Sequence, residues 1–356
     1  MKLAYMPFNS HIALIVIVAA MVVPHSPAHA VTIDMVTVGN PGNTNDPETG
    51  YGGVSYSYQI GKYDVTIQQY TDFLNAAAKS DPYSLYNTSM ETDLYSAGIS
   101  RTGSDGSYSY SVLNNGGNSG NRPITYVSWF DAARFANWMQ NGQGSGDTET
   151  GAYTLAGATS GYAVAKNPGA TFYVPTENEW YKAAYYSPTL NSGAGGYFIY
   201  ATQSNSDPGN IVGSSANQAN YYAGNGYSVT QSPDGPNSDQ NYLTDVGAFA
   251  NSASYYGTFD QSGNVHQWND LNGTTSLARG TRGGAWSGGD PIILSAYFRD
   301  VGDPSWGGDT AGFRLASPVA ASVPEIDPAG FGSVLALVTG ALGLVERRRL
   351  KAKLAA

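Results

Sequence analysis

The sequence contains no cysteine in its 356 residues. Without a thiol it forms no disulfide, no thiolate metal site and no cysteine nucleophile. Histidine is almost as scarce, because three of the four histidines lie in the first 30 residues and only His266 lies further along. A single imidazole cannot supply an iron site that needs two. We therefore expect neither copper nor iron in the body of this protein.

Charged residues are also few, at 12% of the chain, and the net charge is −10. Six of the 17 basic residues lie in the two terminal segments, so the central region is more acidic than the total suggests. An acidic surface repels the phosphate backbone. The composition thus predicts no nucleic-acid partner.

The two ends differ from the middle. Residues 1–30 combine Lys2, an apolar run from Ile12 to Val23 and the small-x-small triplet that ends at Ala30. This pattern is typical of a signal peptide removed by signal peptidase, and the alternative is an uncleaved N-terminal anchor. In residues 319–356, an apolar segment (329–345) precedes five basic residues, which predicts membrane attachment with the basic end in the cytoplasm. We expect an exported protein of the outer envelope or the extracellular space.

The central region, residues 31–318, is long enough for one large domain. It is rich in Tyr, Gly, Asn and Ser, which favours short strands joined by loops. The longest expected loops are residues 41–53, 114–121, 142–151 and 205–241.

Three helix starts share a capping-box pattern, in which a Ser or Thr is followed three residues later by Gln, Asp or Glu. They begin at Thr66, Ser128 and Thr176. The patterns predict helices that reach about Ala78 and Gln140, and a third that runs through Ala184.

Six sequence blocks occur in an order that resembles the formylglycine-generating enzyme, or sulfatase-modifying factor, family. They are KYDVT (62–66), RPI with VSWFDA (122–132), VPTENEW (174–180), GNVHQW (263–268), RGGAW (282–286) and GFR (312–314). The resemblance covers residues 36–316. It implies an α+β domain, a variant of the C-type lectin fold with little regular secondary structure and long ordered loops.

The tail resembles a PEP-CTERM sorting signal, which implies processing by an exosortase. Val323, Pro324 and Glu325 carry this likeness, and Ile326 departs from it where a second proline is usual.

The family's oxidases use paired cysteines shortly after the block that matches residues 282–286. The corresponding stretch here, residues 287–293, contains no sulfur. Formylglycine-generating oxidase activity is therefore not expected, because no other side chain replaces a thiolate as soft ligand and nucleophile. A divergent metal-dependent oxidase or another enzyme of the family remains the alternative.

The resemblance also implies two structural calcium sites, since calcium binds carboxylate, amide and carbonyl oxygens. The first uses Asp260, the carbonyls of Gly263 and Val265, and Gln267, where the family usually has Glu. The second uses Asn220, the carbonyl of Tyr221, Asp239 and the carbonyl of Asn241. The competing interpretation is that the aspartates only terminate turns.

Other candidate catalytic groups favour structural roles. His266 alternates with its neighbours in an apparent strand, which predicts that it packs or faces solvent rather than acting as a catalytic base. Glu177 and Glu179 point to different faces of one helix, so they do not form a carboxylate pair. Arg314 is expected to be buried against a carboxylate.

Three functional hypotheses follow. The first is a binding module whose Tyr-, Ser-, Gly- and Asn-rich loops recognise an extracellular polysaccharide or an envelope protein. The second is an enzyme, and the third is a matrix scaffold without a discrete ligand. We favour the binding module.

Overall fold

The computed structural model describes residues 30–161, 163–237, 239–273 and 277–319. The predicted signal peptide, apart from Ala30, and the predicted sorting tail, apart from Val319, lie outside these ranges. Within the described ranges, no helix has the length and apolar character needed to cross a membrane.

Capping boxes start the three longest helices, as the sequence predicts. The side chains of Thr66, Ser128 and Thr176 each accept a hydrogen bond from the backbone nitrogen of the third helical residue. The side chain of that third residue in turn accepts one from the backbone nitrogen of the cap residue. Two backbone donors are thereby satisfied at each helix start. The α-helices are α1 (Ile67–Ala77), α2 (Ser89–Thr92), α3 (Trp129–Gln140), α4 (Glu177–Tyr185) and α5 (Leu190–Gly193).

Strands are short, as expected for a chain rich in glycine and asparagine. They are β1 (Met35–Val38), β2 (Tyr58–Gly61), β3 (Ile99–Thr102), β4 (Ser109–Val112), β5 (Tyr186–Ser187), β6 (Gly196–Tyr197), β7 (Gly213–Ala216), β8 (Phe249–Asn251), β9 (His266–Asn269), β10 (Arg279–Arg282), β11 (Asp300–Gly302), β12 (Ala311–Gly312) and β13 (Ala316–Pro318). Two 3₁₀ helices span Ser119–Asn121 and Pro291–Leu294. The predicted loops at 114–121 and 205–241 thus each contain one short element.

Two sheets organise the domain. In the first, β2 lies between β1 and β13, and both pairings are antiparallel, with Ile60 opposite Ala316. The second has the order β11-β10-β9-β12, in which only β12 and β9 are parallel. The first sheet therefore joins the start and the end of the described region. These observations confirm the predicted α+β class with few helices.

The main core packs α1 and α3 against strands of the first sheet. Phe135 of α3 lies at its centre, with ring centroids 5.4 Å from Phe73 and 5.4 Å from Phe313. Aromatic pairs at this spacing add to the burial of apolar area. This core orients α4, whose neighbouring loops form the candidate site.

Candidate ligand groove and the predicted metal positions

A large concavity in the described part of the chain lies between two loops next to α4. It has a volume of about 710 Å³ and is lined by residues 40–48 on one side and by Tyr186, Pro188, Asn191 and residues 193–197 on the other. We call it the Asn/Tyr groove. The size falls within the range of about 300–1,000 Å³ that is usual for small-ligand sites.

Side chains hold the first wall rigid. The Asn43 amide donates to Gly52 O at 2.8 Å and to Tyr197 Oη at 2.7 Å, and Tyr197 Oη donates to Thr44 O at 2.7 Å. Buried Asp46 accepts from Tyr181 Oη at 2.5 Å. These bonds fix a loop that has no regular structure of its own, which lowers the entropy cost of binding a ligand.

The second wall follows an unusual backbone path. Asn191 and Ser192 both have left-handed φ values, of 53° and 58°, inside α5. The Asn191 amide donates to Gly195 O at 2.9 Å and closes this turn. Gly195 has φ of +83°, and a Cβ atom there would lie 2.3 Å from Tyr186 Oη. Only glycine fits between this backbone and the tyrosine.

Several polar groups in the groove have no hydrogen-bond partner among the described residues. They include the Glu48 carboxylate, the Thr44 hydroxyl, the Asn45 amide nitrogen and the Tyr186 hydroxyl. The rings of Tyr186 and Tyr197 meet edge to face at 5.1 Å. None of the residues that line the groove is a lysine or an arginine. The site therefore offers neutral donors and acceptors with a carboxylate, and no cation.

Lys182 supports the groove from beneath. Its side chain is buried, and its ammonium donates to the carbonyl of Asn40 at 2.8 Å. Burial lowers the pKa of Lys182 to about 8, because the charged form loses hydration. No carboxylate lies within ion-pair distance of it in the described part of the chain.

Among the described residues, arginines pair with buried carboxylates in three places, which we call the buried arginine clusters. Arg279 lies 2.8 Å from Asp270, Glu177 lies 2.7 Å from both Arg282 and Arg299, and Arg314 lies 3.0 Å from Asp64. The predicted structural role of Arg314 is confirmed by this pairing.

Glu177 and Glu179 point in different directions, as predicted. Glu177 pairs with Arg282 and Arg299. Glu179 accepts hydrogen bonds from Tyr56 Oη and Tyr173 Oη, both at 2.9 Å, and from the backbone nitrogen of the cap residue Thr176. Neither carboxylate faces the other, and neither lines the Asn/Tyr groove.

At the first predicted calcium site, a hydrogen bond joins Asp260 and Gln267. Gln267 Nε2 donates to Asp260 O at 2.6 Å, and Gln267 Oε1 accepts from Trp180 Nε1 at 2.7 Å and from Arg314 Nε at 2.6 Å. An ion at this oxygen would compete with a guanidinium, so the arrangement as it stands does not fit calcium there. Burial raises the pKa of Asp260 to about 6.

The two carbonyl ligands of that site, Gly263 and Val265, lie on the approach to β9. The site therefore stays a prediction, and it requires Gln267 to turn away from Arg314.

At the second predicted site, three residues are buried and one is exposed. Asn220 donates to Tyr242 O at 2.9 Å, Tyr221 O accepts from Ser228 Oγ at 3.2 Å, and Asn241 O accepts from Gln240 Nε2 at 2.6 Å. Asp239 is exposed, and its backbone nitrogen donates to Asn237 Oδ1 at 3.0 Å. This site also stays a prediction. No three Asp, Glu or His side chains in the described ranges come together as a metal cluster.

The stretch that matches the family's cysteine region is closed by an aliphatic side chain. A Cβ atom on Gly288 would lie 1.7 Å from Ile293 Cδ1. Ile293 therefore occupies the space beside Gly288, and this stretch presents no pair of reactive side chains.

His266 packs within its sheet. Its ring centroid lies 6.2 Å from that of Phe298, and its Nδ1 is buried without a hydrogen-bond partner among the described residues. Burial lowers the pKa of His266. Of the two predicted placements, packing or exposure to solvent, the structure therefore shows packing.

The sequence analysis identified the loop at 41–53 but not the groove. The missed wall, residues 186–197, carries a signal in the Tyr-rich start at 185–186 and in the run Gly193-Ala194-Gly195-Gly196. Neither feature indicates which other loop it faces.

Comparison with known proteins shows which proteins the chain resembles. The family model of the sulfatase-modifying factor enzyme 1-like domain matches residues 35–319. No curated protein matches the sequence.

The solved structures that are similar to this chain include the following three. CarF has 20% identity and a TM-score of 0.47, with coverage of 81% of this chain and 99% of that one. Treponema denticola variable protein 1 has 17% identity and a TM-score of 0.51, with coverage of 82% and 97%. PvdO from Pseudomonas aeruginosa has 18% identity and a TM-score of 0.38, with coverage of 81% and 92%. The likeness to the Treponema protein concerns the fold alone.

Proposed function

The chain belongs to the family of sulfatase-modifying factor enzyme 1-like domains, and we propose that it is a non-catalytic member that binds an extracellular polysaccharide. The observation that carries this proposal is the Asn/Tyr groove, a braced concavity that offers amide, hydroxyl and carboxylate groups without a cation. A non-catalytic role fits a chain that has no cysteine.

A polysaccharide suits the groove better than a protein partner does. A specific protein interface buries about 800 Å² on each partner over an extended patch. The groove is instead a concavity with converging polar groups, which is typical of small-ligand sites. Sugar hydroxyls both donate and accept, so they match Asn45, Glu48 and Tyr186 at once.

The charge of the groove selects among polysaccharides. Glu48 and Asp46 both lie in the lining, which contains no lysine or arginine. A uronate or phosphate on the ligand would be repelled, because no lysine or arginine in the lining could offset its charge. We therefore expect a neutral glycan.

The proposal places the module outside the cell. Its support is the signal-like pattern of residues 1–30 and the sorting-like tail from residue 319, which would anchor the domain in the envelope while its loops face outward.

The test is affinity electrophoresis of the full-length chain through gels that contain neutral or anionic polysaccharides. We expect retardation by at least one neutral polysaccharide and none by the anionic set. Glu48→Ala and Asn45→Ala should each weaken the retardation several-fold. Asp105→Ala is the matched control, since it removes an exposed polar side chain outside the groove.

Two results would count against the proposal. The first is no retardation by any glycan. The second is capture of an envelope protein that survives both groove substitutions, which would favour a protein-binding module at another surface.

A further inference from the structure

A second concavity, separate from the Asn/Tyr groove, lies at the β11 edge of the four-stranded sheet. It has a volume of about 340 Å³ and is lined by Trp268, Thr281, Asp300, Gly302, Asp303 and Trp306. We call it the tryptophan hollow. Neither the predicted metal sites nor the proposed glycan site uses these residues.

Two indole rings form a corner in this hollow. Trp268 is buried, with its Nε1 donating to Val127 O at 3.0 Å, whereas Trp306 is 44% exposed. The ring centroids lie 5.9 Å apart at an interplanar angle of 67°.

The exposed indole is held in place by a tight turn. Asp303 Oδ1 accepts from the backbone nitrogen of Ser305 at 2.9 Å and from Ser305 Oγ at 2.7 Å, and Trp306 N donates to Asp303 O at 3.1 Å. The same bonds keep the pKa of Asp303 below its usual value. The ring is thus presented to solvent by a formed turn.

The hollow combines aromatic and acidic groups, and no lysine or arginine lines it. Elsewhere in this fold the same combination holds a guanidinium. Arg279 lies 4.0 Å from the ring centroid of Trp129 and 2.8 Å from Asp270.

The second instance joins Arg282 to an aromatic ring and a carboxylate. Its guanidinium lies 4.9 Å from the ring centroid of Tyr181 and 2.7 Å from Glu177. The tryptophan hollow has the ring and the carboxylates of these clusters but lacks their guanidinium.

We propose that the tryptophan hollow receives an arginine side chain of an extended partner peptide. A planar guanidinium can stack on Trp306 while it donates to Asp300 or Asp303. Strand β11 lies at the edge of its sheet, and all three of its residues are exposed, so its free side can pair with the peptide backbone.

This inference does not depend on the glycan site. Asp300 and Asp303 repel anions, and a neutral ligand would leave both carboxylates without a counter-charge.

The test is a titration of the full-length chain with three ligands. The NMR signals of the tryptophan indole N–H groups report the binding of each ligand. The ligands are a blocked Gly-Arg-Gly peptide, the same peptide with citrulline in place of arginine, and agmatine. Citrulline keeps the shape of arginine and removes its charge. We expect the arginine peptide to bind at least tenfold more tightly than the citrulline peptide and more tightly than agmatine. Binding should weaken as salt rises, because the charges are exposed.

Substitutions localise the binding. Trp306→Leu should weaken binding of the arginine peptide about tenfold. The double variant Asp300→Asn, Asp303→Asn should weaken it to the same extent without changing the packing of the Trp306 ring. Tyr255→Leu is the matched control, since Tyr255 is 40% exposed and lies outside the hollow. If Trp306→Leu proves unfolded by circular dichroism, the double variant decides.

Equal affinity for the arginine and citrulline peptides, or full affinity in the double variant, would overturn the proposal. Agmatine binding as tightly as the peptide would overturn the assignment to a peptide partner. Hollow variants should leave glycan retardation unchanged, and Glu48→Ala should leave the peptide affinity unchanged, so the two proposals fail separately.

Discussion

Carboxylates have different environments in the buried arginine clusters and in the Asn/Tyr groove. In the clusters, Asp64, Glu177 and Asp270 each lie within 3.0 Å of a guanidinium nitrogen. In the groove, Glu48 has no cationic neighbour among the described residues. A sequence with few charges thus uses several of its arginines inside the fold, and it leaves the Asn/Tyr groove with neutral and acidic groups. Stability and binding should therefore respond to different substitutions.

The largest effect should come from Glu177. Glu177→Ala leaves Arg282 buried without its carboxylate, which costs about 3–5 kcal/mol in the free energy of unfolding. Urea denaturation measures this loss. Glu48→Ala, the matched change in the groove, should leave the unfolding midpoint unchanged. Equal effects of the two substitutions would erase the distinction between the regions.

A glycine pair tests the groove wall itself. Gly195→Ala places a Cβ atom on a left-handed backbone, which destabilises the folded state by about 1–2 kcal/mol, and it also forces Tyr186 to move. Gly193→Ala has the backbone effect alone, because its φ is +91° and nothing lies within 4 Å of the new Cβ atom. We expect Gly195→Ala to be less stable by about 1 kcal/mol more and to lose glycan retardation. If the Gly195→Ala variant is still retarded by the glycan, the proposal that residues 193–197 form a wall of the glycan site is contradicted.

Lys182 should make stability depend on pH in a narrow window. Its pKa is about 8 in the folded state and about 10.4 in an unfolded chain. Between these values the unfolded chain binds more protons, so stability rises as pH increases. We expect a gain of about 1.5 kcal/mol from pH 8 to 9.5, visible as a rising Tm.

The control for this effect is Lys182→Met, in which the rise should disappear. The rise in stability should end below pH 10, because burial raises the pKa of several tyrosines, including Tyr58 and Tyr70. Above that pH, these tyrosines lower the free energy of unfolding as the pH increases. A rise that persists in Lys182→Met would assign the effect to another group.

Calcium should have the smallest effect. At a concentration of five times Kd, an ion that binds only the folded chain stabilises it by about 1 kcal/mol. Scanning calorimetry in CaCl₂ against EDTA measures the shift in Tm, and Asp260→Asn should remove the contribution of the first site. No shift in the parent protein would contradict both predicted sites.

Local signals explain what the sequence predicted well. The capping boxes at Thr66, Ser128 and Thr176 involve residues three apart, so they are readable without the fold. The buried pairing of Arg314 follows from the cost of an unpaired internal charge, although its partner Asp64 could not be named in advance.

Long-range contacts explain what the sequence did not show. The Asn/Tyr groove exists because Tyr197 meets Asn43, and the tryptophan hollow because Trp306 reaches Trp268. Gln267 was interpreted as an ion ligand from its position in a motif, whereas its oxygen faces Arg314 and Trp180. Each of these contacts depends on the path of loops that have no periodic pattern.

The antiparallel pairing of β2 with β13 determines when the first sheet can form during synthesis of the chain. Ile60 finds Ala316 only after nearly all of the domain has left the ribosome. Such distant pairing is slow, because the intervening loop must close first. A chain that stops before residue 316 therefore cannot complete this sheet, and the domain matures only once its last strand is available.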